Sequence, residues 1–439
     1  MTTELEQRWE EIQDAGGPER FIKQELKRRG VYRDYKPNIM TLATEREKEQ
    51  MIAKARAEAL ATSELRQYVL EARKATHILH LGPDIFWNDW LKEDHFDPFQ
   101  PMLRIQDRDL PILESVEDVL QFLQQVVPEL TIPQLRGYCT HRQMSLVYHY
   151  RAFEIPKKTG GIRKIWAPLP RLKAMQKYIQ TQIVEKMVIH GSAHGFVAGK
   201  SILTNASEHT NSSLIVGVDL KDFFPTFTFA RVRGLFRSYG YSVGVATLLA
   251  AICTEAPRRA LSLGDETYYI ATGPRVLPQG SPASPALTNA LSLRLDRRLT
   301  QYADSNGWRY TRYADDLTFS RPDNGERYTN QQIKHLLSML NRVTETEGVR
   351  INRKKTHFAR KGCKQQVTGL IVNGDGTPRV PKKRRKLLRA ALNNTKNGVT
   401  VDNAYTLEQL LGHSAFVYMT DLELGQQLLD GFGKLLSED

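Results

Sequence analysis

The sequence predicts an α+β fold in which an antiparallel sheet carries acidic residues at one edge. Three observations predict it. The apolar run Leu214–Val218 reads as a buried strand ending at Asp219. Trp308–Ser320 reads as strand, turn, strand, with Tyr313-Ala314-Asp315-Asp316 at the bend. Between and around these runs lie long segments with apolar residues at helical spacing. With 41% hydrophobic residues over 439 positions, the chain can bury a sizeable core, and its length suggests two to three domains.

Taken in order, residues 1 to about 75 are rich in Glu, Lys, Arg, Ala and Leu and read as helices with charged faces. Residues 77–101 are irregular and aromatic-rich; the spacing of His77, His80 and His95 matches no common metal-ligand pattern. A helical pattern returns over 115–146. Residues 153–168 read as a hairpin turning at Lys158-Thr159-Gly160-Gly161. Leu172, Met175, Ile179, Ile183 and Met187 mark a helix over 170–189. Helices are expected at 228–255, 283–303 and 329–346, strands within 349–358 and 364–373, and a basic helix beginning near Pro381.

Formal net charge is +13 and the sequence pI is about 9.5, which favours polyanionic partners, nucleic acid first. Basicity is local. Arg350 to Lys396 holds fifteen Lys or Arg against one acid, Asp375, leaving the rest close to neutral. Cys139, Cys253 and Cys363 are odd in number and scattered, so neither a disulfide framework nor a zinc site is expected. The charged N-terminus lacks an apolar signal region and no run is long enough to span a membrane, so a cytoplasmic location without membrane partners is expected.

Three carboxylates at one sheet edge would repel one another without a cation. Hard divalent ions coordinated by oxygen satisfy them, and two Mg²⁺ about 4 Å apart can activate an attacking hydroxyl and stabilise a leaving pyrophosphate oxygen. An Asp-Asp pair alone says little, since most are turn or surface residues. Its context says more. Ile155-Pro156-Lys157-Lys158 through Arg163, VDLKDFF (218–224), LPQGSPASPALTN (277–289), RYADD (312–316) and GVRINRKKT (348–356) follow one another in an order and spacing that resemble the fingers and palm motifs of reverse transcriptases. The resemblance runs from about Arg151 to Asn373 and implies a right-hand polymerase fold of fingers, palm and thumb with an antiparallel palm sheet.

It also implies roles. Asp219, Asp315 and Asp316 would hold the metal ions. Lys158 and Arg163 would hold the triphosphate of the incoming dNTP, Arg by a bidentate fork. Asp222 would contact the triphosphate through its backbone. Phe224 would lie under the sugar and reject a 2′-hydroxyl, with Phe223 as the core residue. Gln279 and Gly280 would line the nucleotide and template site, the glycine permitting close approach. Lys355 would protonate the leaving pyrophosphate, with Lys354 as the competing assignment.

Two further segments narrow the family. Asn205-Ala206-Ser207-Glu208-His209 before the first palm motif, with Val367-Thr368-Gly369 after the lysine-bearing one, resemble bacterial retron reverse transcriptases. That resemblance implies a structured non-coding RNA as both template and primer. Synthesis would begin at an internal 2′-hydroxyl and give branched RNA–DNA (msDNA). It further implies a role in anti-phage defence with an effector protein, and RNA removal by a host ribonuclease H. Asn205, His209, Val367, Thr368 and Gly369 would contact RNA. So would Lys382, Lys383, Arg384, Arg385, Lys386 and Arg389, which crowd the first turns of the basic helix.

The expected division is a helical extension over 1–120, fingers and palm over 121–377 and a basic helical thumb over 378–439. Alternatives are another bacterial reverse transcriptase, of group II intron or diversity-generating type, and a non-catalytic RNA-binding scaffold. The two retron-like segments argue against the former and the intact carboxylate set against the latter.

Overall fold

The computed structural model describes residues 13–16, 20–21, 24, 80–82, 85–86, 105 and 108–438, apart from 140–143, 146, 157–161, 264–265, 326–327, 374–375 and 397–404. The chain divides into two compact units, Met1–Thr76 and His77–Asp439. The expected helices over 1–75 lie almost wholly outside the described residues.

In the second unit, β1 (His80–Gly82) pairs with β2 (Ile85–Phe86). Helices α1 (Val116–Gln124) and α2 (Ile132–Cys139) follow, α1 capped by Ser115 and Asp118 in a reciprocal box. Strand β3 (Met144–Ser145) precedes the hairpin of β4 (Tyr150–Pro156) and β5 (Ile162–Pro168). Next come α3 (Pro170–Gln182), α4 (Ile202–Ser207), β6 (Ser212–Lys221), α5 (Phe229–Ser238) and α6 (Val243–Cys253). The chain continues through β7 (Arg258–Leu263), β8 (Glu266–Ala271), α7 (Ala283–Leu291), α8 (Leu293–Ser305), β9 (Arg309–Tyr313) and β10 (Asp316–Pro322). It closes with α9 (Asn330–Thr346), β11 (Arg350–Ile351), β12 (His357–Arg360), β13 (Gln366–Val367), β14 (Leu370–Ile371), α10 (Lys382–Lys396), α11 (Leu407–Tyr418) and α12 (Leu422–Glu438).

The central sheet is antiparallel, as the sequence predicts. Strand β6 runs through its middle, with β10 and then β9 on one side and β11 and β12 on the other. Its apolar residues are buried, as a central strand covered on both faces requires. Helices α3, α5, α6, α7, α8 and α9 supply a large core with Met175, Phe236, Leu249, Leu287, Leu299 and Leu340. Every residue of α6 from Gly244 to Cys253 is buried, which explains why its sequence is apolar all round. A second core joins β13 and β14 to α10, α11 and α12 through Val367, Leu370, Leu388, Val417, Leu428 and Phe432.

Three expected helices are broken. The 228–255 segment turns at Gly240, in a left-handed conformation (φ 106°), and restarts where Ser242 caps Val245. The 283–303 segment breaks at Ser292, and 115–146 separates into α1, α2 and β3. The β7–β8 hairpin has no counterpart in the sequence reading, because Arg258–Leu263 carries no β-branched or aromatic residue.

Candidate active site

The pairing of β6 with β10 sets Asp219 directly opposite Asp316, and the next pair back is Val218 with Leu317. Asp315 belongs to the two-residue turn between Tyr313 and Asp316, which opens on Ala314 with φ 56°. Tight hairpins need a positive φ there, and an alanine in that region is strained. The turn is tied to the neighbouring strand by the Leu220 amide, which donates to the Asp315 carbonyl at 2.8 Å. All three carboxylates therefore lie at one end of the central sheet.

Two side chains already bind Asp219. Lys355 Nζ donates to Oδ2 at 2.8 Å and Asn352 Nδ2 to Oδ1 at 3.0 Å. The hydrogen bond to Asp219 raises the Lys355 pKa. This contact favours Lys355 over Lys354 for the proton-donor role. Burial, with the Asp219 charge, raises the Asp315 carboxyl, against the pull of Lys355 and Arg163. Asp316 is open to solvent on one face, yet burial and then the charges of Asp315 and Asp219 push its carboxyl up to about 6. The cluster disfavours its own full ionisation even with Lys355 beside it. Among the described residues no three acidic, histidine or cysteine side chains converge enough to hold an ion by themselves. Phosphate and water oxygens would complete the coordination, as Mg²⁺ commonly requires.

The two phenylalanines after Asp222 differ in burial. Phe223 is buried against Phe227, while Phe224 is half-buried in a short turn. Asp222 is left-handed (φ 48°). Arg163 on β5 acts on Asp315 electrostatically; Lys158 lies outside the described residues. Gly280 has φ 131°, and a Cβ there would come within 2.6 Å of the Trp166 carbonyl oxygen. Trp166 also donates its amide to the Gln279 carbonyl at 2.8 Å. The close approach that Gly280 permits is thus to the β4–β5 hairpin.

The retron-like segments meet each other. Asn205 Nδ2 donates to Thr368 Oγ1 at 3.4 Å, and Thr368 Oγ1 donates to the Ile202 carbonyl at 3.2 Å. Thr368 (φ 46°) and Gly369 (φ 91°) form the left-handed turn between β13 and β14. Asn205, His209 and Val367 are buried in this structure. His209 bridges β9 and β10, with Nε2 at 2.7 Å from Thr311 Oγ1 and Nδ1 at 2.8 Å from Ser320 Oγ. Burial lowers its pKa to about 3, so it is a neutral brace for the strands that carry the acidic turn. A cavity of about 600 Å³ opens beside this joint, lined by Asp316, His357, Lys364, Thr368 and Gly369 among others.

The family described as "Reverse transcriptase (RNA-dependent DNA polymerase)" matches residues 155–373. Retron Mx162 reverse transcriptase of Myxococcus xanthus is 41% identical over 95% of this chain and 86% of its own length. The chain belongs to the retron reverse transcriptases. Retron Mx65 reverse transcriptase of the same organism is 41% identical over 73% of this chain and 71% of its own. For retron Ec86 reverse transcriptase of Escherichia coli the figures are 28%, 76% and 92%. The first alignment covers 95% of this chain, so this retron enzyme resembles that relative well beyond residues 155–373. It is an RNA-directed DNA polymerase with the palm sheet described above.

Asn352 was not singled out from sequence. Its backbone amide accompanies its side chain, donating to the Asp219 carbonyl at 2.8 Å. The signal lay only in its position three residues before Lys355.

Proposed function

We propose that this enzyme copies a structured non-coding RNA that also supplies the primer, beginning at an internal 2′-hydroxyl and leaving DNA branched from RNA. The observation that supports this reading is the joint of Asn205 with Thr368, because Thr368 and Gly369 line the same cavity as Asp316. The test is synthesis without an added oligonucleotide. Purified protein with its cognate RNA and dNTPs is expected to yield DNA covalently joined to RNA; dependence on an added primer contradicts the reading.

In this scheme Asp219, Asp315 and Asp316 would hold two Mg²⁺ ions, which when bound supply Lewis-acid stabilisation of the reacting phosphate and its leaving group. Arg163 and Lys158 draw in the triphosphate, and Asp222 offers it backbone. Lys355 holds a proton at Nζ beside the carboxylates, placed for delivery to pyrophosphate. Phe224 bounds the sugar. Phe224→Ala is expected to raise ribonucleotide incorporation roughly tenfold or more relative to dNTP incorporation; an unchanged ratio in a competition assay removes this role.

The proposed division is an N-terminal extension over 1–120, fingers and palm over 121–377 and a thumb over 378–439. On α10, Leu388 and Ala391 face the second core, while Lys382, Lys383, Arg384, Lys386 and Arg389 are exposed. Arg385 is set apart, half-buried and 3.6 Å from Asp421. The exposed charges suit an RNA hairpin or product duplex. Replacing Lys382, Lys383, Lys386 and Arg389 with Gln is expected to weaken RNA binding and flatten the log–log salt slope by about 3; an unaltered slope moves the footprint elsewhere. No helix among the described residues is long and apolar enough to cross a membrane. A cytoplasmic role in anti-phage defence, with an effector protein and a host ribonuclease H, accords with the family.

A further inference from the structure

A charged pair sits at the back of the acidic turn, inside the protein. Arg312 and Asp296 are both fully buried. Arg312 Nε donates to Asp296 Oδ1 at 2.8 Å and Nη2 to Oδ2 at 2.7 Å, the two-pronged geometry of a guanidinium on a carboxylate. Its remaining nitrogen, Nη1, donates to Asn289 Oδ1 at 3.0 Å and to the Ala314 carbonyl at 3.2 Å. Tyr310 Oη gives Asp296 a further hydrogen bond at 2.8 Å.

The Ala314 carbonyl belongs to the peptide that enters Asp315. The peptide that leaves Asp315 is held from the other side, where its carbonyl accepts from Leu220. Both peptide planes flanking Asp315 are thus fixed, one through Arg312 to α8 and the other to β6. With both planes fixed, the direction of the Asp315 Cα–Cβ bond is fixed too. The same network steadies the other side of the turn. Asn289 Nδ2 donates to the Gly195 carbonyl at 2.8 Å, and Gly195 approaches so closely that a Cβ there would lie 2.6 Å from the Ala314 amide nitrogen.

We propose that Arg312, clamped by Asp296, is a positioning residue that aims Asp315 into the catalytic cluster. Buried ion pairs can often be replaced by apolar residues without loss of stability, so stability alone gives little reason to keep one here. Only the arginine fork reaches Asp296, Asn289 and Ala314 together; a lysine ammonium is a single point of charge at the end of a flexible stem. The proposal rests on reading Asp315 as a member of the metal-binding carboxylates.

The experiment compares Arg312→Lys, Asp296→Asn and the apolar double variant Arg312→Met with Asp296→Leu. Melting temperature, RNA affinity, kcat, KM for dNTP and the Mg²⁺ concentration giving half-maximal turnover are measured on each. Both variants lacking Arg312 are expected to fold and bind RNA, with KM for dNTP within about threefold. Their kcat should fall by about 30-fold or more, and their Mg²⁺ requirement should rise severalfold. Asp296→Asn, which keeps the shape but weakens the clamp, should fall between. Tyr310→Phe, which touches Asp296 but not the turn, should stay within about twofold of wild type.

A folded variant without Arg312 that keeps wild-type turnover and Mg²⁺ demand overturns the proposal. Loss of folding in all three clamp variants also overturns it, because the pair then serves the core alone. Asp315→Asn in the same assay separates the underlying reading. If it retains turnover, the carboxylate assignment fails whatever Arg312 does. If it abolishes turnover while the Arg312 variants do not, only the positioning role fails.

Discussion

Asp315→Asn combined with Asp316→Asn is expected to lower dNTP incorporation by at least about a thousandfold, while melting temperature and RNA affinity hold. Metal-borne stabilisation of a phosphoryl-transfer transition state amounts to several kcal/mol, and each 1.36 kcal/mol is about tenfold in rate. The fold should survive because the cluster is electrostatically costly without cations. Both carboxyls are raised above the ordinary carboxylate value, Asp316 to about 6. A raised carboxyl binds more protons folded than unfolded, so its contribution to metal-free stability falls as pH climbs from about 4 through about 6. At neutral pH the amides remove that cost. By the same sign, protons compete with Mg²⁺ below about pH 6, and activity should decline there. Primer extension, with circular dichroism and filter binding as controls, reads all three quantities. Incorporation above a few per cent of wild type contradicts the metal assignment.

Gly280→Ala should cut kcat/KM for dNTP by about a hundredfold. Two observations combine here. The backbone sits at φ 131°, which an L side chain rarely adopts, and the added methyl would meet the Trp166 carbonyl oxygen at 2.6 Å and Ile165 Cγ2 at 2.9 Å. The clash is with backbone, so the β4–β5 hairpin must shift, and Arg163 on that hairpin shifts with it. A misplacement of about 1 Å at a positioning group can cost about 100-fold. Gly234→Ala, in α5 with open space around the position, serves as the control. Steady-state kinetics equal to wild type would mean that docking of the hairpin on Gln279-Gly280 does not set nucleotide binding.

Much of this site is legible in the sequence because its determinants are local. An apolar run ends at Asp219, a strand–turn–strand pattern presents Asp315 and Asp316, and the structure places them at one sheet end. The difference in burial between Phe223 and Phe224 also agrees with the sequence, one being buried and the other half-open. What was missed depends on distant partners. His209 reads as a polar residue available to RNA, and only the fold brings Thr311 and Ser320 to its two ring nitrogens. Arg312 reads as one letter of RYADD, while its partner Asp296 lies on another element. A trace of that pairing existed: Asp296 shares the buried stripe of α8 with Leu299 and Ala303, an odd place for a carboxylate. The breaks at Gly240 and Ser292 were hidden because the apolar spacing continues across them.

The measurement that bears most directly on the central claim is sequencing of the nucleic acid that co-purifies with the enzyme, read through any RNA–DNA junction. A DNA strand whose 5′ end is joined to the 2′-oxygen of an internal nucleotide in a structured RNA is the predicted result. Only linear products, extended from ordinary 3′ ends, would contradict it.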